Sequence, residues 1–163
     1  MTNQISEHLP KDKQEEIIRR MVDDRDFRYW LCSESLYWFS QYYFRKPSYA
    51  ETPDFHREIL HDLEGIKEET YLIAAGRGMG KSTLANLYYV LWRILCREEK
   101  FAVLLSRTQR QADQLLENVR DELEDIDRIL SDFGPINKVN DQWGRAGLEV
   151  GNYGAKIIAG SME

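Results

Sequence analysis

Residues 70–83 read TYLIAAGRGMGKST, and the reading of the chain turns on them. Tyr71–Ala75 is a short apolar run of the kind a buried strand uses. Gly76-Arg77-Gly78-Met79-Gly80 follows as a glycine-rich loop, and Lys81-Ser82-Thr83 opens a strongly apolar helical segment. Strand, loop and helix in that order match the phosphate-binding pattern G-x-x-x-x-G-K-[ST] in its relaxed form, with Ala75 at the first position. At ordinary residue frequencies the pattern arises by chance in about one percent of chains of this length.

The chemistry accounts for the residue types. Backbone N–H groups converge on a polyphosphate only where side chains leave the concave side open. Gly76, Gly78 and Gly80 are expected to remove that obstruction and to permit positive φ. The helix that follows offers unpaired N–H groups and the positive end of its dipole. Lys81 is placed to reach the β- and γ-phosphates of a nucleotide, and the Ser82 hydroxyl to serve as a Mg²⁺ ligand, with Thr83 beside it. ATP and Mg²⁺ are therefore the expected ligands.

Composition bounds the remaining choices. The chain has 163 residues, enough for one domain with a core, and its net charge of −6 provides no global basic field for nucleic acid. Cys32 and Cys96 both lie in apolar helical stretches and read as buried reduced thiols, with no Cys/His spacing for zinc. The polar start MTNQISEHLPKDKQEE lacks a signal-peptide core, and no apolar run approaches a membrane span, so a cytoplasmic setting without membrane contact is expected.

Upstream of the loop, Gln14–Asp23 carries apolar residues at helical spacing. Asp26–Phe44 is dense in aromatics, which reads as a packing surface rather than a base-stacking platform. Arg45–Pro53 is a connection, and Asp54–Glu64 a short helix ended by Gly65. Downstream, one helix is expected from Lys81 to about Arg97, then a parallel strand at Phe101–Leu105 and a capping box at Ser106–Gln109. A single long helix then carries Ala112, Leu115, Leu116, Val119, Leu123, Ile126 and Leu130 on one face. The acids between Asp121 and Asp127 lie mostly off that face and read as solvated, not as a metal cluster. Leu148–Val150 and Ala155–Ala159 flank the turn Gly151–Gly154 as a β-hairpin. The class is α/β with a mostly parallel sheet. The expected division is a helical segment over residues 1–53 and a partial nucleotide-binding domain over 54–163.

In this order the segments resemble the large subunit of tailed-bacteriophage terminase, the motor that packages DNA. The resemblance runs from about Leu36 onward. It is carried by Leu36–Phe44, by Pro53-Asp54-Phe55-His56-Arg57-Glu58-Ile59-Leu60, and by the loop Gly76–Ser82 with its internal arginine. Ser106–Ala112 after the second strand, Trp143 and the hairpin complete it. The resemblance implies a RecA-like P-loop ATPase core, with Lys81 and Ser82 handling phosphate and Mg²⁺ and Arg77 stabilising charge on the transferring phosphoryl group. It implies that the segment around Phe55 and His56 packs near the adenine, although relatives have glutamine in this neighbourhood. It further implies double-stranded DNA, a portal and a small terminase subunit as partners, and a homo-oligomeric ring. The family's second acidic motif, the coupling motif and the nuclease domain have no counterpart in these 163 residues, so a fragment, a truncated product or a piece of a split protein is expected. Two other readings stand beside this one: a helicase-like P-loop motor, and a non-catalytic module that binds nucleotide or a partner.

Overall fold

The computed structural model describes residues 9–44, 52–66, 70–97, 99–134 and 147–162. They form a mixed α/β chain with one small sheet. Packing divides it into two compact units, one ending at Leu84 and the other beginning at Ala85. Trp143 and most of the connection from Arg45 lie outside the described residues.

The first unit is helical. α1 (Lys11–Asp23), α2 (Arg25–Glu34) and α3 (Leu36–Tyr43) follow one another with single-residue breaks. The breaks are set by side-chain caps. Asp24 accepts from the Phe27 N–H at 2.9 Å and starts α2, and Ser35 stands at the N-cap of α3. The aromatic-rich stretch does serve packing: every residue of α3 is buried, and Trp38 and Phe39 are among the largest fully buried side chains. Tyr29 and Trp30 of α2, by contrast, remain exposed. α4 (Asp54–Gly65) ends at the expected glycine and buries Leu60 and Leu63. Its Glu64 closes the N-terminus of α3, accepting from Ser35 Oγ at 2.9 Å and from the Tyr37 N–H at 3.1 Å. Burial raises the pKa of that carboxyl above its ordinary value, and the two donated hydrogen bonds only partly oppose the shift.

The expected buried strand at Tyr71–Ala75 is not formed. The run has no regular secondary structure, and Leu72 is 85% exposed. An apolar run of five residues is a strand only where a neighbouring chain completes its ladder of backbone hydrogen bonds. The three-stranded sheet does not include it.

The expected single α-helix after the loop is instead a composite. α5 (Lys81–Thr83) leads into a π-helical segment (Leu84–Tyr89) and then α6 (Val90–Cys96). Apolar periodicity does not distinguish an i→i+5 turn from an i→i+4 turn, so the wider winding left no mark in the sequence. Leu87, Leu91, Trp92, Ile94 and Leu95 are buried, as the all-round apolar pattern requires.

In the second unit β1 (Phe101–Ser106) pairs parallel with β3 (Ala155–Ser161), which pairs antiparallel with β2 (Gly147–Val150), in the order β1-β3-β2. The parallel strand and the hairpin match expectation. The sheet itself is mixed rather than mostly parallel, because the hairpin contributes two of its three strands. The turn Gly151–Gly154 closes through Tyr153 N–H to Val150 O at 3.0 Å, with Gly154 at φ +57°. Tyr153 Oη donates to the Phe133 carbonyl at 2.9 Å and ties the turn to the helix before it.

α7 (Gln109–Asp125) covers one face of this sheet. Ala112, Leu116, Val119 and Leu123 are buried on the helix, and Leu104, Ile157, Leu148 and Val150 on the strands. On the opposite face Phe101, Val103 and Leu105 are 56%, 45% and 59% exposed. The cap of α7 is Thr108, which accepts from the Gln111 N–H at 3.4 Å, and not Ser106, which belongs to β1. The expected single helix through Leu130 breaks at Ile126, whose extended backbone (ψ 101°) separates α7 from α8 (Asp127–Phe133). Ile129 is buried on α8, while Leu115, Ile126 and Leu130 are half-buried. Among the described residues no helix is long and apolar enough to cross a membrane.

Candidate functional site

The loop from Ala75 to Gly80 leads directly into α5. Gly78 has φ +78° and Gly80 φ +70°, the left-handed conformation that side chains resist. Gly76 does not share it, and a Cβ there would meet the Met79 side chain at ordinary distances, 3.4 Å from Sδ and 3.7 Å from Cγ. Two of the three glycines therefore carry the backbone requirement that all three were expected to carry.

Lys81 folds back over the loop. Its Nζ donates to the Ala75 carbonyl at 2.9 Å and to the Gly76 carbonyl at 3.1 Å. Both bonds are of ordinary length, and the ammonium stays part-exposed. A phosphate reaching this ammonium exchanges carbonyl oxygens for phosphate oxygens, and the charge-assisted bond to an ionised acceptor is the stronger. Arg77, Ser82 and Thr83 are exposed, and Leu84 N–H closes the first helical turn on the Gly80 carbonyl at 3.0 Å.

α4 anchors the segment at two points. His56 Nε2 lies 2.8 Å from the Met79 carbonyl oxygen, and the Phe55 ring stands edge-on to the imidazole at 4.4 Å. Tyr71 Oη donates to the Asp62 carboxylate, an interaction that raises the Tyr71 phenol above its ordinary range. Lys81 is thus bonded to the start of the loop, at Ala75 and Gly76, and His56 to its end, at Met79. Asp62 and the Met79 carbonyl were not legible beforehand, since both contacts depend on how the chain returns past α4.

The donor set suits a polyphosphate with a divalent ion bound chiefly through that phosphate: a lysine, an arginine and exposed hydroxyls beside main-chain groups. Among the described residues no group of three or more His, Cys, Asp or Glu side chains is placed to hold a metal by itself. No protein-family model matches the chain, and no curated protein shows significant similarity to it.

Proposed function

We infer that the chain is the nucleotide-binding part of a P-loop ATPase, of the kind used by viral DNA-packaging motors. The observation that carries this reading is the loop itself. Two left-handed glycines lead into a helical start, with Lys81 Nζ held over the loop's own carbonyls. That geometry keeps a cation beside a helical start, and a cation together with the unpaired N–H groups of a helical start is what recognition of a polyphosphate needs.

On this reading Lys81 binds the terminal phosphates of ATP, and the exposed Ser82 hydroxyl contributes to holding Mg²⁺. Arg77, exposed in the same loop, would stabilise charge on the transferring phosphoryl group, as the terminase resemblance implies. Mg²⁺ supplies neutralisation of phosphate charge when bound. The terminase resemblance favours a DNA-translocating motor as the parent assembly, acting in the host cytoplasm as a ring on double-stranded DNA with a portal and a small subunit.

The test is a calorimetric titration of the chain with Mg²⁺ and a non-hydrolysable ATP analogue, run beside Lys81→Ala. Saturable binding weakened at least about tenfold in the variant is expected, the loss of a charge-assisted contact worth about 1.5–3 kcal/mol. Equal binding by the two chains would sink the phosphate-loop assignment.

A further inference from the structure

His56 touches the loop through one defined bond, from Nε2 to the Met79 carbonyl at 2.8 Å. A carbonyl only accepts, so Nε2 carries the proton and donates, a condition met by the Nε2–H tautomer and by the imidazolium alike. Among the described residues no peptide bond is cis, and a trans peptide holds its C=O and N–H antiparallel. A Met79 carbonyl turned toward His56 therefore turns the Gly80 N–H away from it. The imidazole also occupies the space beside Gly80: a Cβ there would lie 3.1 Å from Nε2 and 3.3 Å from Cε1. Phe55 braces the ring from the same helix.

We propose that His56 is a positioning residue for the loop: by holding the Met79 carbonyl it fixes the Met79–Gly80 peptide plane and aims the Gly80 N–H for the polyphosphate of a nucleotide. This rests on the phosphate-loop reading above and alters one part of it, since the imidazole's partner is loop backbone and not a nucleobase. The contribution of His56 then does not depend on the base. It is felt equally by a nucleotide and by a bare polyphosphate.

The experiment titrates inorganic tripolyphosphate and a non-hydrolysable ATP analogue, each with Mg²⁺, into the wild-type chain, His56→Ala, His56→Gln and Lys81→Ala. His56→Ala is expected to weaken both probes by the same factor, roughly threefold to tenfold, the range for one hydrogen bond. His56→Gln, whose amide can donate to the same carbonyl, is expected to recover wild-type affinity within about twofold. A loss confined to the nucleotide would show a base contact and overturn the proposal, as would an unchanged His56→Ala or a failure of glutamine to recover. Lys81→Ala reports on the phosphate-loop reading alone. A two-bond ¹H–¹⁵N spectrum of the wild-type chain reports on the bond itself without any ligand, and an Nδ1–H tautomer at His56 would overturn it.

Discussion

Neighbouring leucines in β1 should lose stability by very different amounts on truncation. Leu104 is 3% exposed on the face covered by α7, whereas Leu105 is 59% exposed on the other face. Full burial of a leucine side chain stabilises by about 1.5–3 kcal/mol, and truncation also leaves a cavity, so Leu104→Ala should destabilise by about 2–5 kcal/mol. At Leu105 roughly two-fifths of the side chain is withdrawn from water and no enclosed cavity forms, so the same substitution should cost about 1 kcal/mol. With a urea m-value of about 2 kcal/mol/M, a loss of about 3 kcal/mol moves the midpoint by about 1.5 M, and a loss of about 1 kcal/mol by about 0.5 M. Two compact units can unfold in separate steps, so one global signal is a poor readout. Amide exchange of peptides from β1 and β3, followed by mass spectrometry across a urea series, reports the sheet directly. A Leu105→Ala loss as large as that of Leu104→Ala would refute the assignment of faces, and with it the β1–β3 register in which Leu104 lies beside Ala159 and Leu105 beside Gly160.

Three further outcomes are expected. Because burial raises the Glu64 pKa, the stability this group contributes is full below its ordinary value of 4.5 and is lost as pH rises through the raised folded value. Glu64→Gln keeps an acceptor for Ser35 and Tyr37, so unfolding midpoints should shift progressively in its favour as pH rises from about 4.5. A difference independent of pH would contradict the assignment. Burial pushes the Cys96 thiol up to about 12, so at pH 8 it should react with a disulfide reagent at least about a hundredfold more slowly than free cysteine, and rapidly once urea unfolds the chain. Fast labelling of the folded chain would count against that burial. Gly78→Ala and Gly80→Ala both meet positive φ, worth about 1–2 kcal/mol, but only at Gly80 does the added carbon also press on His56. Tripolyphosphate titration should find Gly80→Ala the weaker binder, with the gap closed in a His56→Ala background.

Much of the local structure was legible because it depends on neighbours in the chain. Gly65 ends α4, Leu148–Val150 and Ala155–Ala159 form their hairpin, and α7 presents Ala112, Leu116, Val119 and Leu123 at the spacing the sequence displays. Gly78 and Gly80 were likewise readable, since glycine in such a loop reports a demand on backbone conformation that Gly76 turns out not to share.

Contacts between distant segments were not readable. Helical spacing at Asp54–Gly65 says nothing of which backbone carbonyl His56 will meet, nor that Glu64 will close the N-terminus of α3. The sequence determined by itself where α4 and the hairpin form, because capping, turn chemistry and amphipathic period act over a few residues. Only the tertiary structure decided that Tyr71–Ala75 is not a strand, that β1 buries Leu104 and exposes Leu105, and that α4 reaches the loop. A ladder, a buried face and a hydrogen bond to a distant carbonyl each require a second segment, and its position is settled by the packing of the whole unit.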